Sequence, residues 1–140
     1  MIPKDFKFFF SSSDLETQKF GMEISKYLIA GDIICLNGEI GSGKTTFTKG
    51  ILKGLSYDGD VTSPTFSLIN EYDAKLKVIH IDCYREKNIN NWLEIGILDY
   101  FSSNSIVLIE WAENIKSLIP KEAYQITMFH KSKNEREIKL

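Results

Sequence analysis

Arginine is scarce in this chain: only Arg85 and Arg136 occur among its 140 residues. Small-molecule kinases commonly close an arginine-bearing lid over the transferred phosphoryl group to shield it from water, and neither residue sits in a recognisable lid. Cysteine is equally sparse. Cys35 and Cys83 lie inside the apolar runs IICL and HIDCY, which excludes a spaced set framing a disulfide scaffold or a zinc site. They are read as small core residues in a reducing compartment. An excess of positive charge is also missing, since 17 Lys and Arg stand against 19 Asp and Glu, a formal net charge of -2. Autonomous binding to a phosphate backbone is therefore disfavoured. No apolar run approaches bilayer length, and Lys7 interrupts a stretch already too short for the apolar region of a secretory leader. The expected location is cytoplasmic, with no membrane partner. Internal repeats, low-complexity tracts and linkers are absent as well.

What remains is ordinary for a folded protein: 43% hydrophobic and 26% charged residues. The length fits one domain over residues 1–140, able to bury roughly two thirds of the surface of its unfolded form. The alternation of Phe6, Phe8 and Phe10 predicts an edge strand with those rings on one face. Ser13-Asp14-Leu15-Glu16 has capping-box spacing and starts a helix with Phe20, Ile24, Tyr27 and Leu28 on one side and Gly31 as its stop. Ile33 to Leu36 is apolar throughout, as a strand covered on both faces requires. Phe47, Ile51, Leu52 and Leu55 then recur at helical spacing. Thr65 to Tyr72 reads as a strand with Phe66 and Leu68 on one side, and Val78 to Asp82 and Ile106 to Glu110 as two more strands. Asn91 to Phe101 reads as one intervening helix, and AYQITMF with REIKL as a terminal hairpin with His130 in its loop. The alternation predicts an α/β fold, three layers about a mostly parallel central sheet with antiparallel edge strands and a C-terminal hairpin.

Between the apolar strand and the following helix, Gly38-Glu39-Ile40-Gly41-Ser42-Gly43-Lys44-Thr45 matches G-x-x-x-x-G-K-[ST] at every fixed position. Glycines let the backbone amides approach phosphate oxygens, and the helix start adds about half a positive elementary charge. Lys44 is suited to bridge β- and γ-phosphates, and the Thr45 hydroxyl to ligate Mg2+. Chance produces this pattern in well under about 1% of chains of this length.

A nucleotide-bound magnesium ion takes a further ligand from a carboxylate at a neighbouring strand end. Asp82 in VIHID and Glu110 in IVLIE both qualify. One is expected to hold the metal, directly or through water, and the other to orient an attacking water; the residues alone leave the assignment open. His80, two positions before Asp82, reads as a hydrogen-bonded histidine packed beside the sheet. Arg85 is placed to pair with Asp82 or to reach a phosphate. Trp111 fits either the core or a partner-facing surface.

The series GEIGSGKTTF, SPTF, HIDCYR, EIG followed by DYF, and IEWAE, in that order, closely resembles the TsaE family. These are small bacterial ATPases needed to make threonylcarbamoyladenosine beside the tRNA anticodon. The resemblance runs from about Ser13 to Glu113 and implies a P-loop NTPase-like fold. It further implies that Glu39, Ile40, Gly41, Ser42, Gly43, Lys44, Thr45 and Thr46 wrap the phosphates of ATP, and that Thr45 and Glu110 bind magnesium. Lys44, Asp82 and Glu110 carry hydrolysis on this reading, Ser63-Pro64-Thr65 forms a switch-like loop over the γ-phosphate, and the regions of Ser13 and Arg136 flank the adenine. Glu86 departs from the family by replacing the usual apolar residue after Tyr84-Arg85. The partners implied are TsaB and TsaD, with turnover weak alone, stimulated by them and used to reset their assembly, and with tRNA contacted only indirectly.

Three other readings compete. A small-molecule kinase using the same loop is the main alternative, opposed by the missing lid. A purely structural nucleotide module has no need for Lys44, Thr45 and both carboxylates together. A guanine-specific switch lacks its N-K-x-D element.

Overall fold

A computed structural model describes residues 1–140. Its seven strands form one sheet, β1 (Phe8–Ser11), β2 (Ile33–Asn37), β3 (Ile69–Asp73), β4 (Lys77–Asp82), β5 (Ile106–Glu110), β6 (Tyr124–His130) and β7 (Arg136–Lys139), in the order β1-β7-β6-β2-β5-β4-β3. The four inner strands β6, β2, β5 and β4 run parallel, while β1, β7 and β3 are antiparallel to their neighbours. Helices α1 (Asp14–Ser25) and α2 (Lys44–Gly54) cover one face; α3 (Ile89–Ile95), α4 (Ile97–Phe101) and 3₁₀ turns over Ala112–Leu118 cover the other.

Strand alternation divides the core. Ile34, Leu36, Val78, Ile106, Leu108 and Ile126 face α1 and α2, whereas Ile33, Cys35, Ile79, Ile81, Val107 and Ile109 face Trp92, Ile97 and Ile115. Because β2 and β5 are covered on both sides, every apolar position along them is buried. α1 and α2 touch through glycine: a Cβ on Gly21 would lie 2.5 Å from the Phe47 carbonyl oxygen, and one on Gly50 2.1 Å from that of Gln18. No helix is long and apolar enough to cross a membrane.

Several boundaries differ from expectation. In β1 the exposed rings are Phe8 and Phe10, while Phe9 stacks on Phe20 at 4.3 Å and Phe6, outside the strand, packs on Phe20 and Tyr27. Ser11, which shares the inward parity of Phe9, is fully buried because its hydroxyl bonds Thr17 Oγ1 at 2.7 Å and the Ser13 carbonyl. Ser13 caps α1 by accepting from Glu16 N–H at 3.1 Å, but Glu16 reaches back to Ser12 N–H rather than to Ser13. α1 ends at Ser25, well before Gly31, so Tyr27 and Leu28 lie outside it. Residues 65–68 are turns, not strand: Leu68 takes φ 70° and Phe66 is 83% exposed. The helix expected over Asn91 to Phe101 starts at Ile89 and is broken at Gly96, whose φ of 92° separates α3 from α4. His130 ends β6, paired with Arg136, instead of lying in the hairpin loop. Glu86, the departure noted above, accepts from Asn88 N–H at 2.9 Å, and its carbonyl takes the indole N–H of buried Trp92 at 2.8 Å.

Candidate functional site

The loop after β2 is built by backbone conformation. Gly41 and Gly43 adopt φ of 82° and 104°, a region that side chains resist, and Gly43 is the N-cap of α2. Glycine offers no capping oxygen, so no side chain satisfies the first-turn amides of α2. Those amides and the helix dipole form a site suited to an anion. Lys44, the first residue of α2, is buried, and its Nζ donates to the Gly38 carbonyl and, at 3.1 Å, to that of Glu39. Burial lowers its pKa from 10.5, against the opposing pull of Glu110 and Asp82. A desolvated ammonium whose hydrogen bonds go to neutral carbonyls is electrostatically prepared for a negatively charged ligand.

Parallel pairing of β4 and β5 sets Asp82 opposite Glu110 in register, so both carboxylates emerge at the same sheet edge beside Lys44. Both are buried. Asp82 Oδ2 accepts from Thr65 Oγ1 at 3.0 Å, and Oδ1 from Tyr84 N–H at 2.8 Å. Thr65 Oγ1 is in turn 2.8 Å from Ser63 Oγ, which ties the loop before β3 to the tip of β4. Glu110 Oε2 lies 2.7 Å from His80 Nε2. After Glu110 the chain turns sharply: Trp111 has φ 59°, an uncommon conformation for a bulky residue and one that clusters at functional sites. The turn lays its indole 4.8 Å from Lys44 Nζ and 4.9 Å from the Tyr84 ring.

These elements enclose a cleft of about 460 Å³. Its floor is Gly43, Lys44, Thr45 and Thr46; one wall is Asp82, Glu110 and Trp111, and Ser63, Thr65, Asp14 and Arg136 complete the rim. A cleft with one buried cation, two buried carboxylates and an amide-lined helix start combines the features of a phosphate-binding site.

The family profile described as "Threonylcarbamoyl adenosine biosynthesis protein TsaE" matches residues 11–138. The chain is 38% identical over 124 residues to the tRNA threonylcarbamoyladenosine biosynthesis protein TsaE of Bacillus subtilis, covering 88% of this chain and 77% of that protein. It is 31% identical to its namesake from Treponema pallidum, covering 91% and 95% respectively. The crystal structure of Bacillus subtilis YdiB superposes with a TM-score of 0.81 at 33% identity, covering 94% of this chain and 81% of that one. The chain belongs to the TsaE family.

Within this TsaE-family chain, Ile40, Gly41, Gly43, Lys44, Thr45, Thr46, Asp82 and Glu110 all line the cleft. Glu39 contributes its carbonyl to Lys44, and Ser42 is buried under the loop with its hydroxyl unpartnered in the protein. Ser13 does not line the cleft, because its hydroxyl caps α1; the next residue, Asp14, does. Arg85 neither pairs with Asp82 nor enters the cleft: its guanidinium stacks over the exposed Phe66 ring at 4.8 Å. Arg136 lines the rim and is anchored by donation to the Ser132 and Glu135 carbonyls at 2.9 and 3.0 Å. Trp111, undecided from sequence, forms a cleft wall. Asp14 and Tyr84 also line the cleft, and in the sequence their only signal is adjacency to Ser13 and Asp82.

For a metal, no group of three or more His, Cys, Asp or Glu side chains converges. The cleft instead offers oxygen donors, the Thr45 hydroxyl with the Glu110 and Asp82 carboxylates. That donor set fits magnesium, which takes one or two protein ligands and fills its octahedron from substrate phosphates and water. It does not fit a soft or zinc-type centre.

Proposed function

We propose that this chain is a single P-loop NTPase-like domain that binds and hydrolyses ATP in the biosynthesis of threonylcarbamoyladenosine in tRNA. The observation that carries the reading is the buried Lys44 ammonium, held on loop carbonyls beside an uncapped helix start and facing two buried strand-tip carboxylates. The phosphates of ATP would take the amides of residues 39–46, with Lys44 between the β- and γ-groups. Thr45 and Glu110 would hold magnesium. When bound, that ion neutralises charge developing on the transferred phosphoryl group.

Asp82 would orient the attacking water and accept its hydrogen bond. Its Oδ2 is now engaged by Thr65, so the Ser63–Thr65 segment has to yield or reorient as that water is taken up. This coupling supports a switch-like role for the segment. Adenine would sit toward the rim formed by Asp14 and Arg136, with Ser13 acting through the start of α1.

Membership of the TsaE family supports TsaB- and TsaD-type subunits as partners, with tRNA held mainly by them. Turnover is weak alone and rises when they are added. The small-molecule kinase reading gains nothing here, since one arginine is stacked on Phe66 and the other is anchored in the hairpin. The test is ATP hydrolysis by the protein alone and with TsaB and TsaD. Lys44→Ala should abolish nucleotide binding or turnover, and equal turnover with and without partners would rule out the regulated ATPase.

A further inference from the structure

The buried ionisable contact behind the cleft wall involves a residue with no place in the chemistry above. His80 is completely buried on β4, two residues before Asp82 and on the same sheet face, and its Nε2 lies 2.7 Å from Glu110 Oε2. Glu110 is itself buried and opens on the cleft. Oε2 makes this one hydrogen bond, and Oε1 makes none within the protein. Since a carboxylate only accepts, the proton of the contact is on Nε2. Nδ1 is buried and has no partner in the protein. The ring therefore donates in one direction, toward Glu110.

We infer that His80 is a positioning residue that holds the Glu110 carboxylate so that Oε1 is presented to the magnesium ion of the nucleotide complex. The inference rests on the proposed role of Glu110 as a metal ligand. A carboxylate on a strand tip has two side-chain torsions beyond χ1 left to rotate, and magnesium demands near-ideal octahedral placement of each oxygen. A rigid donor on the adjacent strand removes that freedom before the metal arrives. Packing alone does not require a histidine here: Val78 and Leu108 beside it on the same face are apolar, and Asn70, opposite it on β3, makes its side-chain hydrogen bonds to Ser67, Thr62 and Tyr72. Hydrogen-bonded supports of metal-ligating side chains typically contribute a factor of about 10–100 in metal affinity.

The test uses magnesium chloride and a non-hydrolysable ATP analogue, with binding followed by the fluorescence of Trp111 in the cleft wall. His80→Met removes the donor at similar volume, and His80→Gln keeps an N–H donor. The expected result is a magnesium midpoint raised about tenfold or more in His80→Met, little change in His80→Gln, and unchanged binding of the analogue in chelator. A merely structural histidine would lower the unfolding temperature of His80→Met and leave the magnesium midpoint where it was. Glu110→Gln separates the two readings. If it raises the midpoint while His80→Met does not, the positioning role is overturned and Glu110 remains a ligand. If neither variant moves it, Glu110 is no ligand and both readings fall. Should His80→Met not fold, the unaltered protein decides: the imidazole ¹⁵N–H signal of His80 must shift when magnesium is added to the analogue complex, and an unmoved signal overturns the inference.

Discussion

Gly50→Ala perturbs the contact that sets the two cleft-forming helices against each other. The added Cβ would stand 2.1 Å from the Gln18 carbonyl oxygen and 2.8 Å from its C and Cα, about 1.3 Å short of ordinary contact at 3.4 Å. All three atoms are backbone, so no rotamer change relieves the clash, and α1 must move away from α2. Overpacking of a rigid contact costs up to about 3 kcal/mol. Replacing a mid-helix glycine by alanine returns about 1 kcal/mol through helix propensity. The balance is a loss of about 2 kcal/mol, or roughly 6 °C in Tm for a domain of this size.

Gly54→Ala is the internal comparison. Its nearest clash, 2.0 Å, is with the Ser25 hydroxyl, which can rotate away from its 2.6 Å hydrogen bond to the Met22 carbonyl; the Ser25 Cβ at 2.9 Å and the Met22 Cα at 3.1 Å then need a shift of only a few tenths of an ångström. That costs about 1 kcal/mol. Urea unfolding followed by circular dichroism measures both variants. Because α1 begins at Asp14 and α2 at Lys44, the Gly50 variant should also bind ATP more weakly. A Gly50→Ala protein as stable as the parent, or more stable than Gly54→Ala, would refute the helix–helix geometry on which the cleft depends.

Thr65→Val removes the 3.0 Å hydrogen bond to Asp82 while keeping the shape of the side chain. Hydrogen bonds to charged acceptors contribute about 1.5–3 kcal/mol, so limited proteolysis within residues 62–68 should accelerate at least about tenfold; unchanged cleavage would show that this bond does not hold the segment. Both thiols are buried, and burial raises the pKa of Cys35 and pushes that of Cys83 up to about 12. A thiol reagent at pH 8 should leave the native protein unlabelled and modify both cysteines after denaturation, and rapid native labelling would contradict their placement. Lys44 titrates below its ordinary 10.5 in the folded protein, so as pH climbs from that lowered value toward 10.5 the unfolded chain holds more protons. Stability contributed by this group therefore rises with pH over that window. Lys44→Met should flatten the slope, and an identical pH profile would argue against a desolvated ammonium.

Local rules carried much of this protein in its linear order. The loop from Gly38 to Thr45 is legible because phosphate binding by backbone needs specific residues at fixed spacing, and the cap at Ser13 because it involves neighbours three positions apart. The buried strands are legible too, since a strand covered on both faces admits only apolar side chains. Three consecutive phenylalanines in β1 offered both faces equally, and only the partner surface chose Phe9, stacked on Phe20, over Phe8 and Phe10. Phe66 and Leu68 mimicked strand alternation, yet the bond from Leu68 N–H to the Pro64 carbonyl at 2.7 Å closes a turn there instead.

Sequence by itself determined which groups were available: an amide-rich loop, a lysine, a threonine and two carboxylates, each at the end of an element that local pattern predicts. Tertiary structure alone decided which of them meet. Strand order and register brought Asp82 opposite Glu110, His80 onto Glu110, Thr65 onto Asp82, and Trp111 against Lys44, while sending Arg85 out to Phe66. The physical reason is separation along the chain: His80 and Glu110 are 30 residues apart, and no propensity or periodicity, which act over a few residues, encodes a contact made only when two strands pair.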